Sequence, residues 1–124
     1  MYEVDRNRFE ELVSAAVSAL PGAFRDRIAN LEIIVEDWAR SEDYGQMGIG
    51  PGSTLLGVYR GIPLPLRRGY NMALPDTIVI FQQPIQQLSG DAADLAERVN
   101  HVVRHEVAHY FGISDERLRE IDAY

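Results

Sequence analysis

Between Leu95 and Tyr110 the chain repeats apolar residues on a helical period, and an acid occupies one place inside the apolar stripe. At about 100° per residue, Leu95, Val99, Val102, Val103, Val107 and Tyr110 fall in one broad arc. Such a helix has one face to bury, so the rest of the chain must supply a layer for it to pack against. Glu106 lies in the same arc, close to the angle of Leu95 and Val99. Glutamate is almost never fully buried without a partner. Its carboxylate therefore calls for a cation, a hydrogen-bond donor or a metal-bound water. His101, His105 and His109 fall in the adjacent arc, so a histidine face flanks the core.

His105-Glu106-Val107-Ala108-His109 matches H-E-x-x-H, and the run to Asp115 matches H-E-x-x-H-x-x-G-x-x-D. Histidines four apart on a helix share a face, with Cβ atoms roughly 5–6 Å apart. Both rings can then reach one zinc ion at about 2.0–2.1 Å. Such an ion with an open position lowers the pKa of its bound water to about 7. Glu106 is long enough to reach that water and act as its general base, returning the proton to a leaving amine. Two histidines at this spacing also meet by chance on surface helices. The periodic helix together with Gly112 and Asp115 argues against that here.

Gly112 permits a sharp reversal after His109, which can bring Asp115 back as third ligand. Asp115 has a blander possible role at the start of a last helix, and Glu120 is the reserve ligand. His101 is excluded from the same ion, because eight residues of helix rise about 12 Å. It is expected at the helix flank.

The 124 residues make one domain's worth of chain, 46% hydrophobic and 25% charged, enough for a single core over residues 1–124. With a net charge of −7 and a pI of about 4.8, no basic footprint for nucleic acid is present. Absence of cysteine removes disulfides, thiolate metal sites and thiol nucleophiles. The N-terminus carries no signal-peptide pattern and no stretch approaches the ~20 apolar residues of a membrane span. A cytoplasmic protein with no membrane partner is expected.

Taken in order, Asp5 is placed to cap a first amphipathic helix carrying Phe9, Leu12, Val13, Ala16, Val17 and Leu20, ended by Pro21-Gly22. A short helical turn is expected within residues 24–30. Leu31–Asp37, Thr54–Arg60 and Asp76–Gln82 read as strands. Residues 38–53 read as a long polar, glycine-rich loop, without the Lys-Ser/Thr of a phosphate-binding turn. Residues 61–68 read as an extended crossing segment, since Pro63 and Pro65 cannot donate to a sheet. A short turn or helix is expected at Pro84–Leu88. The histidine helix begins at Ser89 or Asp91 and stops near Gly112, and Ser114 caps a last short helix.

The chain resembles the small bacterial minimal-zincin metallopeptidases. The residues that carry the likeness are Leu56-Gly57-Val58-Tyr59-Arg60-Gly61-Ile62-Pro63-Leu64, then Leu74-Pro75-Asp76, Ile80-Phe81-Gln82, and Val103 through Ile113 around the motif. The resemblance implies an α+β fold: a small mixed sheet of three to four strands packed against two main helices, with a short C-terminal helix. It implies zinc on His105, His109 and Asp115, Glu106 as general base, and hydrolysis of a peptide or protein. The chain departs from the larger metzincins in having no methionine after Asp115, so the floor of the site must be built differently. An exposed edge at Thr54–Arg60 would suit an extended substrate, and Tyr59 or Tyr70 would be placed to donate to an oxyanion. The competing reading is a non-catalytic zinc-binding interaction module of the same fold. A structural zinc normally has four protein ligands, and only three good candidates are visible.

Overall fold

The computed structural model describes residues 1–26, 28, 31–47, 54–61 and 76–112. These form five helices and three strands: α1 (Arg6–Ser18), α2 (Gly22–Arg25), β1 (Leu31–Glu36), α3 (Ser41–Met47), β2 (Gly57–Arg60), β3 (Asp76–Phe81), α4 (Gln82–Leu88) and α5 (Ala92–Tyr110). The architecture is α+β, as expected. The sheet order is β1-β3-β2. β1 runs parallel to β3, with Leu31 opposite Asp76, and β2 runs antiparallel to it, with Gly57 opposite Ile80. The described sheet is therefore mixed and three-stranded.

Alternation along the strands gives each sheet face its own cluster. Tyr59, Ile78 and Ile80 join Phe9, Val13 and Ala16 of α1 and Leu95, Val99, Val102, Val103, Val107 and Tyr110 of α5 in the main core. The stripe read from the sequence is thus the stripe that α5 buries. On the other face Val58, Val79 and Phe81 pack with Leu55, Ile34, Ala39 and Tyr44. β3 lies between its two neighbours and is buried at Ile78, Val79, Ile80 and Phe81, which explains its continuous apolar run.

Side-chain caps set the starts of both long helices. Asp5 Oδ1 accepts from the Arg8 N–H at 2.7 Å, and Asp91 Oδ1 accepts from the Asp94 N–H at 2.8 Å. Asp94 in turn accepts from the Gly90 N–H at 2.9 Å. Caps of this kind are each worth about 1 kcal/mol. At its other end α5 gives way to Gly112, whose φ of 78° is the left-handed conformation that stops a helix.

Three helices depart from the sequence expectation, α3 in its presence and α2 and α4 in where they begin. Residues 38–53 contain helix α3, which a polar composition with an internal glycine concealed. α3 is held from outside: the Arg60 guanidinium donates from Nε and Nη2 to the two Asp43 oxygens at 2.9 and 2.8 Å, and the Arg40 N–H donates to Asp43 at 2.9 Å. Pro21-Gly22 does end α1, but Pro21 also caps α2 directly. The helix α4 incorporates Pro84 in its first turn, where a missing N–H leaves no bond unmade. The expected extended segment at 61–68 and the last short helix lie outside the described residues, apart from Gly61.

Buried amides tie the N-terminus to α4. Gln86 Oε1 accepts from the Val4 N–H at 2.9 Å, while Gln82 Nε2 donates to the Val4 carbonyl at 3.0 Å. Arg6 Nε donates to Gln82 Oε1 at 2.6 Å. These bonds seat α1 beside α5 on the main face of the sheet. Among the described residues no helix is long and apolar enough to cross a membrane.

Candidate metal centre

The last turns of α5 supply the site. The His105 and His109 rings meet edge to face, 4.5 Å between centroids, as the four-residue spacing requires. Glu106, on the core side of the same turn, places Oε1 3.6 Å from His109 Nδ1. His105, Glu106 and His109 each offer a donor atom, and these atoms all lie within 4.8 Å of one another. Donors at the corners of a tetrahedron with bonds of about 2.1 Å stand about 3.4 Å apart. The His109–Glu106 separation is within a few tenths of that.

Burial differs sharply across the group. Glu106 is 5% exposed, whereas the His109 side chain is 23% exposed. Glu106 Oε1 is buried without a hydrogen-bond partner among the described residues. A desolvated carboxylate oxygen in that state is unfavourable by one to several kcal/mol, roughly. A cation bound between it and the two histidines removes the penalty. The donor set, imidazole and carboxylate with no thiolate, is ordinary zinc chemistry. The residues present therefore fit a divalent metal such as zinc.

Where the sequence reading places Glu106 beside the ion, the geometry also brings it within ligand reach. From there its carboxylate reaches either an ion or a water next to one. Asp115 and Glu120, the candidates for a third ligand, lie outside the described residues, as do Tyr70, Arg67 and Arg68. The His101 ring lies 6.1 Å from that of His105, one turn away along the flank, as expected from helical rise. Tyr59 is buried at 7% exposure and packs on Tyr110 with ring centroids 5.7 Å apart. A Cβ built on Gly61 would meet both the Tyr59 hydroxyl, at 2.9 Å, and Asp76 Oδ1, at 2.5 Å. Tyr59 belongs to the main core cluster, and its hydroxyl and Asp76 both lie close to Gly61.

One contact at the site was not singled out by the sequence: Gly57 of β2 lies directly against α5 at Glu106 and Val102. Glycine within an apolar strand pattern marks a close backbone approach, but that signal does not say what approaches.

A family profile described as zincin-like metallopeptidase matches residues 28–124, which span the sheet and all of α5. The chain belongs to that zincin-like metallopeptidase family. Among solved structures it is similar to a conserved hypothetical protein from Thermo thermophilus, at 20% identity and a TM-score of 0.59, covering 87% of this chain and 94% of that one. That likeness is one of fold. No curated protein matches the chain.

Proposed function

We propose that the protein is a zinc-dependent metallopeptidase that hydrolyses peptide bonds, with Glu106 as its general base. The observation that carries this reading is the buried oxygen of Glu106, without a hydrogen-bond partner among the described residues, beside two histidines spaced to share an ion. Family membership supports it. His105 and His109 would hold the zinc, with Asp115 as third ligand and Glu120 as the reserve. A zinc ion there supplies a Lewis acid and water acidified to near neutral pH.

The chain's own side chains do the rest. Glu106 takes a proton from the attacking water at Oε1 and returns it to the leaving amine. Burial of its stem fixes the carboxylate on the metal side of α5, so little reorientation accompanies the transfer. The partly exposed histidine flank leaves an approach for a peptide carbonyl. An extended peptide would pair with β2, an outer strand of the described sheet that packs against Glu106. Such a substrate is a peptide or a protein segment without fixed structure.

The test is Glu106→Gln, with zinc content and cleavage of a quenched-fluorescent peptide pool measured together. A peptidase keeps its zinc and loses turnover. Unchanged turnover rejects the proposed role, and full biological function without any turnover points to a zinc-binding interaction module instead.

A further inference from the structure

The close approach of β2 to α5 has a direct bearing on Glu106. A Cβ added at Gly57 would stand 2.8 Å from Val102 Cγ1, 3.1 Å from the Val79 carbonyl oxygen and 3.2 Å from Glu106 Cγ. Real Cβ atoms essentially never come within 3.0 Å of another heavy atom, so residue 57 has no room for a side chain. All three neighbours sit on regular elements. Val79 is in the central strand, paired with Val58. Val102 and Glu106 are one turn apart on α5, both buried. Valine in a helix has essentially one rotamer, so it cannot swing aside. The stem of Glu106 therefore runs through a slot whose outer wall is bare backbone.

Resting on the metallopeptidase reading, we propose that Gly57 is a positioning residue for Glu106: its missing side chain is what lets the carboxylate stand at the metal position. The strand sets the stem and the stem sets the carboxylate. The main-chain φ of Gly57 is not left-handed, so the requirement is for space rather than backbone freedom. A methyl at 57 must force β2 and α5 apart at Val102, and at 3.2 Å the Glu106 stem must also give by a few tenths of an ångström. A wet surface glycine has neither consequence. Gly22, where an added Cβ meets nothing within 4 Å, is the internal contrast.

The experiment separates packing from positioning with a compensating change. Gly57→Ala meets Val102, the Val79 carbonyl oxygen and Glu106, whereas Gly57→Ala with Val102→Ala removes the worst clash and leaves those at Glu106 and at the Val79 carbonyl. Wild type, both variants, Val102→Ala alone, Gly22→Ala and Glu106→Gln are loaded with cobalt(II). Visible spectrum at fixed pH, cobalt stoichiometry, melting temperature of the metal-free protein, and kcat and KM on the peptide pool are recorded. The expected result is one cobalt per chain throughout, with the spectra of both Gly57 variants displaced toward that of Glu106→Gln. The double variant regains most of the lost melting temperature while its spectrum stays displaced. kcat falls about 10- to 100-fold, the scale of a small misplacement, at unchanged KM. Gly22→Ala matches wild type.

Wild-type spectra in both Gly57 variants overturn the proposal. So does a double variant in which spectrum and melting temperature recover together, since Gly57 then only makes room for Val102. Failure of both variants to fold overturns it as well, because a shift of tenths of an ångström does not unfold a domain. A wild-type chain that takes up no cobalt breaks the metallopeptidase reading itself and the inference with it, and that outcome is distinct from all the others.

Discussion

Asp43 and Glu106 are both almost fully buried acids, at 2% and 5% exposure, and they sit toward opposite faces of one sheet. Asp43 is satisfied. Arg60 grips both its oxygens and the Arg40 N–H adds a third bond, while Arg60 also reaches Glu36 at 3.3 Å. Glu106 has a bare oxygen and two histidines beside it. The first acid fastens α3 to the sheet. The second has part of its electrostatic demand unmet among the described residues. A buried carboxylate is thus not informative alone; what surrounds its second oxygen tells a fastening from a site.

Four measurements would break or sharpen that contrast. The largest effect expected is on turnover: Glu106→Gln should lower kcat by about 10²- to 10⁴-fold with zinc retained, and His109→Ala should lose metal and turnover together. Any comparable loss of turnover in Asp43→Asn at full folding would erase the distinction. Next in size is Arg60→Met, which leaves Asp43 buried without its cation. Urea denaturation should show about 2–3 kcal/mol lost, and a loss under about 0.5 kcal/mol would mean that the grip is ornamental.

The third comparison turns on sign. In metal-free protein, Glu106→Gln replaces a buried carboxyl whose Oε1 has no hydrogen bond among the described residues and should raise stability by about 1 kcal/mol, whereas Asp43→Asn should lower it by about 1–2 kcal/mol. Equal signs would refute the account given of one acid or the other. The smallest effect is confined to acid pH. Burial pushes the Asp43 carboxyl up, but the hydrogen bonds from Arg60 and Arg40, with their charges, outweigh it and hold it below its ordinary 3.8. Its folded value is depressed, so its contribution is complete above the unfolded value and disappears as pH falls through the folded one. Urea midpoints of the metal-free chain below about pH 4 should therefore fall more steeply for wild type than for Asp43→Asn. Parallel curves would remove Asp43 from the acid limb.

The legible parts of the sequence were those that depend on near neighbours. The α5 stripe, the Asp5 and Asp91 caps, the Gly112 stop and the His105/His109 face all follow from spacing along one element. The strand cores at Ile33, Val58 and Ile78–Phe81 were legible for the same reason. α3 was not, although Ser41 followed by Glu42 and Asp43 is an acceptable helix start. Much of what holds the polar segment in place is Arg60, which is distant in sequence and assigned to another element. Gly57 was readable as a close approach but not as the wall beside Glu106, because no local pattern names a partner. The assignment of Asp115 or Glu120 as third ligand belongs to residues beyond those described.

The mixed sheet also dictates an order of assembly. β1 and β3 are parallel neighbours although α3 and β2 intervene along the chain, and the N-terminal arm closes on Gln86 across 82 residues. Contacts of that span form late, after loop-closure entropy has been met. α5 can coil early, whereas the channel for Glu106 exists only once β2 has docked. Refolding followed by far-ultraviolet dichroism should thus show helix well before the candidate site is assembled, so uptake of the proposed zinc would double as a clock for the final closure of the sheet.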